Sequence, residues 1–396
     1  MNTAEKRDNI NEGHGGNDYY QFGLDYFGPF LLGFIRWLCR KLEQNNIHKV
    51  YFFARDGYMM EKAFNLIMHE EIHAEYVYFS RKSIRQSLLY QCKCYEESLQ
   101  YISAETSITL GGILEYYGFD EEERCAIATS KRLDLKQDYN AKTLKDDKML
   151  EKLYIGLQSE INKKSKKQDA LLLRYLHQIA MVGRVAIVDI GWKGSMQYYL
   201  ESFISAHNLA IEIEGYYVGI KPQKPLSGKT YGFLFDADHE KLRKKVLCFA
   251  GISERLFQSL EGSTYGYQEA DDEVKPILNT YEYADDAILK NHIQEIHRGA
   301  LSYISQNQNT VRENHVLAEK LMRFGVRPTL KELSLFAPFY NTDGTREYYV
   351  SQKPLYKYSF KELRHAISNS SWKNGFFKSI FKIPFPYYEV YRLLKK

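Results

Sequence analysis

The chain has 396 residues, of which 44% are hydrophobic, and this length suits two or three domains or one large α/β domain with an insertion. The 54 basic and 50 acidic side chains give a formal net charge of +4, which argues against a nucleic-acid-binding protein and fits small anionic ligands better. The five cysteines indicate neither a disulfide framework nor a four-ligand zinc site, and without an apolar signal sequence or an apolar run of about 18 residues we expect a cytoplasmic protein.

The first quarter of the chain has the pattern of a parallel α/β unit. Residues 18–46 carry apolar side chains at helical spacing. The run VYFFA at 50–54 predicts a strand buried on both faces, because it is short, continuous and rich in β-branched and aromatic residues. A helix over 57–70 and a second strand over 74–80 follow.

A charged, helix-rich segment then interrupts the sheet. We find no convincing strand pattern between residues 88 and 177 and predict an inserted helical subdomain there. The sheet resumes with a strand at 184–190, a helix at 194–208 and a strand at 211–220, an order that predicts a right-handed parallel crossover. The run YGFLF at 231–235 predicts an edge strand.

The rest of the chain reads as helical, with helices predicted from residue 253, over 279–306 and over 311–324. The end of the chain, from residue 372, is aromatic and basic. It predicts either a helix packed on the body or a membrane contact through one helical face, formed by Phe376, Phe377, Ile380 and Phe381.

Together these elements predict an α/β fold with a Rossmann-like parallel sheet, a large helical insertion and a helical C-terminal region. The predicted boundaries assign 1–87 to the first part of the α/β core, 88–180 to the insertion, 181–270 to the second part of the core and 271–396 to the C-terminal region with its basic aromatic tail.

The strand ends carry the candidate chemistry, since ligands of open α/β sheets bind at the carboxyl ends of the strands. In VDIGWKGSMQ, Asp189 ends a strand and the loop from Gly191 to Ser195 opens a helix. Such glycines let the backbone approach an anion, and the helix start offers unpaired N–H groups. The Asp189 carboxylate could accept hydrogen bonds from a sugar diol or hold magnesium. An ordinary strand-to-helix turn with a solvated lysine is the alternative.

The other two strand ends add cations. Arg55 suits a pyrophosphate, Asp56 suits a base or metal ligand, and Gly57 relieves the backbone of the turn. Arg81 and Lys82 follow the second strand. Each turn alone is also compatible with a solvated strand end, but three adjacent ends with these cations predict a pocket for a polyanion.

Two other assignments fail on single positions. The run SGKT at 227–230 resembles the end of a P-loop, but Gln223 stands where the P-loop requires its first glycine. The run YFFARDGY resembles the first motif of haloacid-dehalogenase phosphatases, but Ala54 stands where those enzymes have their aspartate nucleophile. We therefore predict neither activity.

The order of strands, loops and insertion resembles that of the type I phosphoribosyltransferases. More specifically, GPF…GFIRWL, VYFFARDGY, YFSRKS, VDIGWKGSMQ, SERLF…EGSTYGY and WKNGFFKSIFKIPFP are similar to a family encoded among bacterial capsule and O-antigen genes and often labelled haloacid-dehalogenase-like. The family includes transferases that move 5-phosphoribosyl from phosphoribosyl pyrophosphate to a glycan. A phosphatase then removes the 5-phosphate and leaves β-ribofuranose on the glycan. The resemblance covers most of the chain outside the insertion.

The resemblance implies a glycosyltransferase in which Asp189 holds the ribose diol, and magnesium if the reaction uses it, while the loop after it holds the 5-phosphate. Asp56 is the candidate base for the acceptor hydroxyl, and Glu254 is its rival. The candidate substrate-binding residues are Arg55, Gly57, Tyr58, Arg81, Lys82, Gly191, Trp192, Lys193, Gly194 and Ser195. Of these, the resemblance implies that Arg55, Gly57 and Arg81 face the pyrophosphate. Phosphoribosyltransferases have two adjacent acidic residues where this chain has Asp189 and Ile190, which leaves the diol geometry and the magnesium requirement open.

The implied partners are phosphoribosyl pyrophosphate, a glycan or lipid-linked glycan acceptor and a separate phosphatase that acts next, with no nucleic acid. A lipid-linked acceptor would bring the protein to the inner face of the membrane. The alternative function is a catalytically silent, Rossmann-like anion-binding or scaffold protein of polysaccharide assembly.

Overall fold

A computed structural model describes residues 16–68, 72–102, 104, 106–342 and 346–394. The polar start of the chain, residues 1–15, lies outside the described residues. The strands are β1 Lys49–Phe53, β2 His73–Val77, β3 Ser107–Thr109, β4 Asp138–Asn140, β5 Gly183–Trp192, β6 Ile211–Ile220, β7 Thr230–Phe235, β8 Thr264–Ala270, β9 Glu273–Leu278, β10 Tyr340–Thr342 and β11 Arg346–Tyr348.

The α-helices are α1 Gly16–Phe22, α2 Gly28–Asn45, α3 Gly57–Ile67, α4 Arg81–Leu88, α5 Tyr95–Ser98, α6 Leu110–Tyr116, α7 Glu121–Lys131, α8 Lys148–Gln178, α9 Ser195–Ala206, α10 Glu240–Leu247, α11 Ala250–Phe257, α12 Ala287–Asn307, α13 Asn314–Val326, α14 Leu330–Phe336, α15 Phe360–Asn369, α16 Lys373–Phe381 and α17 Tyr387–Leu394. A π-helical segment, Gly23–Phe27, joins α1 to α2, and the 3₁₀ turns are Leu89–Gln91, Leu99–Tyr101, Leu144–Asp146 and Leu355–Lys357.

The centre of the fold is a five-stranded sheet in the order β2-β1-β5-β6-β7, and every adjacent pair is parallel. The predicted α/β class with a parallel sheet is therefore confirmed, and β7 lies at an edge as its sequence predicts. The chain order reverses between β1 and β5, which pair with Phe52 opposite Val188. Such a switch point opens a crevice at the carboxyl ends of the two strands.

The inner strands are buried on both faces, which explains their continuous apolar runs. In β1, Val50 and Phe52 contribute to one hydrophobic core, while Tyr51 and Phe53 contribute to the other. Helices α2, α3, α12 and α13 supply much of the first core. Helices α4, α8 and α9 supply much of the second, so the segment between β2 and β5 covers one face of the sheet.

Several short elements differ from the sequence prediction. The segment between β2 and β5 contains an antiparallel pair, β3 with β4, although no strand is predicted there. Three-residue strands are too short to show an alternating pattern. The helix predicted from residue 279 begins at Ala287, where the Asp286 carboxylate accepts the N–H of Leu289 at 3.0 Å. The hairpin of β8 and β9 precedes it.

The start of the C-terminal tail belongs to the core of the protein. Trp372 is fully buried, and its Nε1–H donates to the Gly325 carbonyl at 2.7 Å. Phe376 is also buried, so the helical face formed by Phe376, Phe377, Ile380 and Phe381 is not free as a whole. The packing alternative applies to the first turns of α16.

Removing the Trp372 ring should destabilise the whole fold. We expect Trp372→Ala to lower the free energy of unfolding by about 3–5 kcal/mol, because it leaves a large cavity in the core. We expect Trp372→Phe to cost about 1–2 kcal/mol, since it keeps most of the packing and loses the hydrogen bond. Denaturant unfolding followed by circular dichroism measures both, and equal small losses would show that the tail packs independently of the core.

Candidate functional site

A cavity of about 390 Å³ lies where β1, β2 and β5 end, a volume within the range of small-molecule sites. Three turns meet there: the β1–α3 turn, the β2–α4 turn and the β5–α9 loop. Helix α11 forms a further wall. Nine predicted site residues line the cavity: Arg55, Asp56, Arg81, Asp189, Gly191, Trp192, Lys193, Ser195 and Glu254.

Three carboxylates meet in this cavity. Asp56 stands at the N-cap of α3, but its side chain accepts no hydrogen bond from the helix, unlike most N-cap aspartates. Burial raises the pKa of Asp189 to about 8 and that of Glu254 to about 7, and the neighbouring charge of Asp56 contributes to both shifts. Burial likewise raises the pKa of Asp56. Titratable groups perturbed in this way are typical of functional sites.

The indole of Trp192 orients one of these carboxylates. Its Nε1–H donates to Glu254 Oε1 at 2.7 Å, and its ring stacks on Phe235 with centroids 6.1 Å apart and an interplanar angle of 9°. Trp192 adopts a φ of 70°, a left-handed conformation that is uncommon outside glycine. The second carboxylate oxygen of Glu254 receives no hydrogen bond from Trp192.

The β5–α9 loop brings a helix N-terminus to the cavity. Gly191 has a φ of 101°, and a Cβ there would lie 2.5 Å from the Gly219 carbonyl oxygen, so only glycine fits. Gly194, at a φ of 70°, caps the twelve-residue helix α9 without any side-chain hydrogen bond. Ser195 and Met196, the first two residues of α9, line the cavity. Unpaired backbone N–H groups at a helix start favour an anion.

The guanidinium of Arg55 is paired within the protein, although the residue also lines the cavity. It binds the Glu282 carboxylate through two hydrogen bonds of 2.5 and 2.8 Å. It also donates to the Glu261 carbonyl at 3.3 Å. The buried Arg255 lies 3.6 Å from the same Glu282 carboxylate. A long-range partner such as Glu282 leaves no signal at Arg55 in the sequence.

The remaining four predicted residues do not line the cavity. Lys82 binds Glu115 at 2.6 Å and lies over the ring of Tyr265. Gly57 packs against β1, where a Cβ would come within 2.8 Å of a backbone carbon. The other two are Tyr58, whose ring contacts Tyr76 and His297, and Gly194, the cap of α9. Lys82 follows Arg81 on a helix, so the two side chains diverge.

Three polar residues outside the predicted set also line the cavity: Ser80, Gln258 and Ser263. A hydrogen bond from Gln258 lowers the pKa of Asp56 against the effect of burial. Among the described residues, Asp56 Oδ1 and Gln258 Oε1 have no hydrogen-bond partner. Gln258 lies four residues after Glu254. This spacing places two side chains on the same face of a helix, and it is the sequence signal that would predict Gln258 as a site residue.

The cavity is richer in acidic than in exposed basic groups. Arg81 is exposed and forms no ion pair with any described residue, while Lys193 adds a second exposed cation. Among the described residues no three His, Cys, Asp or Glu side chains are arranged to hold a metal. Magnesium commonly uses only one or two carboxylates together with substrate phosphates, and Asp56 and Asp189 suit that arrangement.

The cavity therefore combines acceptors for hydroxyl groups, a helix N-terminus for an anion and one carboxylate held by an indole. This set can bind a phosphorylated sugar and accept a proton from a second substrate. Comparison with known proteins adds nothing to this geometry, because no family model matches the sequence and no curated protein matches it significantly.

Proposed function

We propose that the protein is a glycosyltransferase that moves 5-phosphoribosyl from phosphoribosyl pyrophosphate to a hydroxyl group of a surface-polysaccharide intermediate, on a phosphoribosyltransferase-like variant of its α/β fold. One observation carries the proposal: three partly buried carboxylates and the N-terminus of α9 line the same cavity at a sheet switch point. Acceptor oxygens suit ribose hydroxyls, and helix N–H groups suit a phosphate. The sequence resemblance supplies the donor.

In the proposed arrangement, each part of the donor lies beside the cavity residues that can bind it. Asp189, three residues before the end of β5, accepts hydrogen bonds from the ribose diol. The loop from Gly191 to Ser195 holds the 5-phosphate through backbone N–H groups, with Lys193 beside it. Arg81, exposed at the cavity wall, contacts the pyrophosphate, a role that the resemblance implies for Arg55, Gly57 and Arg81 together.

Magnesium resolves a charge conflict in this arrangement. A pyrophosphate would otherwise enter a cavity with the acidic groups of Asp56, Asp189 and Glu254. The cations that line it are Arg81, Lys193 and Arg55, the last already paired with Glu282. Like charges at close range are unfavourable in a partly desolvated site. A magnesium ion bound by the pyrophosphate and by Asp56 or Asp189 would neutralise both, so we expect donor binding to require it.

Glu254 is the base that we favour. The Trp192 hydrogen bond fixes one carboxylate oxygen, and a pKa of about 7 lets the other accept a proton at neutral pH. In the reaction, the acceptor oxygen forms a bond to the anomeric carbon as the bond to pyrophosphate breaks. The acceptor proton passes to Glu254, and pyrophosphate carries away the bonding electrons. Asp56 then has a donor-binding role.

Arg81 and Lys82 allow a matched test of donor binding. We expect Arg81→Gln to weaken binding of the magnesium complex of phosphoribosyl pyrophosphate by about 10- to 100-fold, since it removes a charge-assisted contact. Lys82→Gln should leave donor affinity unchanged, because Lys82 pairs with Glu115 outside the cavity. Isothermal titration calorimetry measures both. Equal losses in the two variants would contradict the assignment of Arg81.

A phosphorus NMR time course tests the proposed function. The protein is mixed with phosphoribosyl pyrophosphate, magnesium and a panel of lipid-linked and synthetic glycan acceptors. We expect release of pyrophosphate and a new sugar phosphomonoester only when a suitable acceptor is present. Unchanged donor signals across the panel, together with no donor binding by calorimetry, would favour the catalytically silent alternative.

A further inference from the structure

The turn between α16 and α17 exposes large apolar side chains. Phe381, Ile383 and Phe385 are 46%, 52% and 46% exposed, and every residue from 381 to 386 is exposed. We call residues 381–386 the apolar turn. Scattered single apolar residues on a surface need no explanation, but several large ones in one short segment mark an interaction site.

The apolar turn has a defined conformation. Phe381 stacks on Tyr387 at 6.3 Å between centroids, and Phe385 contacts the same ring at 5.2 Å. The Lys378 ammonium group donates to the Ile383 carbonyl at 2.8 Å. These contacts hold the aromatic rings together on the surface and leave about half of each phenylalanine exposed.

A basic groove of about 760 Å³ adjoins this turn. The buried Asn374 lines both the groove and the smaller cavity beside Phe385, so the groove and the apolar turn are neighbours on this side of the protein. The cations that line the groove are Lys241, Arg243, Lys244, Lys373 and Arg392, and its one carboxylate is Glu240.

The acidic side chain that lines the groove does not neutralise all of its basic side chains. Arg243 and Lys221 bind the Glu240 carboxylate and lower its pKa to about 2. Lys244 lies 3.9 Å from the same carboxylate, so three cations share this one negative charge. Lys241 and Arg392 are exposed and make no ion pair with any described residue. The groove thus presents an excess of positive charge next to exposed aromatic rings.

We propose that the apolar turn and the basic groove together form a surface that binds membranes containing anionic lipids. Exposed aromatic and aliphatic side chains insert at the headgroup boundary, and adjacent lysine and arginine side chains attract lipid phosphates. In the described part of the chain no helix is long and apolar enough to cross a membrane. The proposed contact is therefore peripheral, and it uses none of the residues of the strand-end cavity.

Vesicle sedimentation of the full chain tests this surface. Vesicles of phosphatidylcholine alone are compared with vesicles that also contain phosphatidylglycerol. The apolar variant is Phe381→Ser with Phe385→Ser, and its control is Ile155→Ser with Ile288→Ser, which changes two other exposed apolar residues. The basic variant is Lys241→Gln with Lys244→Gln, and its control is Lys166→Gln with Lys167→Gln, two exposed lysines of α8.

We expect the wild type to bind the anionic vesicles and to dissociate as salt is added. The basic variant should bind about 10- to 30-fold more weakly, the apolar variant at least about 10-fold more weakly, and both controls like the wild type. Failure of the wild type to bind anionic vesicles, or equal losses in variants and controls, would overturn the proposal. A dimer that the apolar variant dissociates, without vesicle binding, would assign the surface to self-association instead.

Discussion

Replacing Asp189 with asparagine is expected to reduce 5-phosphoribosyl transfer by at least about 100-fold, as loss of a preorganised charged contact typically does. Asparagine keeps the size of the side chain but offers one acceptor oxygen in place of two, and it cannot carry the charge that would balance magnesium. Initial rates of pyrophosphate release measure the effect. Retained turnover in this variant would remove Asp189 from the donor site.

The same substitution should stabilise the protein without ligand at alkaline pH. The pKa of Asp189 is raised from 3.8 to about 8, so the folded protein binds the proton more tightly than the unfolded chain. The protonated Asp189 side chain therefore contributes to the free energy of unfolding fully below about pH 4, and this contribution is lost as the pH rises through about 8. An asparagine side chain at this position does not ionise, so the variant does not lose stability in this way as the pH rises.

We therefore expect Asp189→Asn to be more stable than the wild type by about 1–3 kcal/mol at pH 8.5, with little difference near pH 4. Thermal unfolding at the two pH values measures this contrast. A variant that is less stable than the wild type by the same amount at both values would mean that Asp189 has a structural role.

Replacing Glu254 with glutamine is expected to lower kcat by about 100- to 10,000-fold, the usual range for loss of a general base. The wild-type kcat should rise with pH through about 7, since only the ionised carboxylate accepts a proton and its pKa lies near that value. The residual activity of Glu254→Gln should lack this rise. Donor affinity should remain unchanged, because Glu254 acts on the acceptor.

Asp56→Asn provides the contrast to this assignment. If Glu254 is the base, Asp56→Asn weakens donor binding and keeps a rise of kcat with pH. The rise should move below about pH 7, because the charge of Asp56 no longer raises the pKa of Glu254. Trp192→Phe should lower kcat less than Glu254→Gln does, since it removes only the hydrogen bond that orients Glu254. A pH profile that Asp56→Asn abolishes and Glu254→Gln preserves would exchange the two roles.

The sequence predicted the parts of this protein that depend on local pattern. The apolar run of β1, the edge strand β7 and the parallel sheet are examples, because burial on both faces determines a strand's composition. The turns after β1, β2 and β5 could be assigned to one edge because parallel strands end on the same side. That rule places Asp56, Arg81 and Asp189 together, as the structure does.

The features that the sequence did not predict depend on contacts between distant segments. The pairing of Arg55 with Glu282 joins residues 227 positions apart, and no local sequence pattern predicts this pair. Lys82 follows Arg81 directly, but helix geometry sends its side chain to Glu115. The exposure of Phe381, together with the burial of Phe376, follows from how α16 packs against the body.

The most direct test of the central claim is calorimetric titration of the wild-type protein with phosphoribosyl pyrophosphate, with and without magnesium. We expect saturable binding of one donor molecule per chain, dependent on magnesium and lost in Asp189→Asn. Absence of binding at millimolar donor with magnesium present, or equal binding by Asp189→Asn, would contradict a donor site at the strand-end cavity.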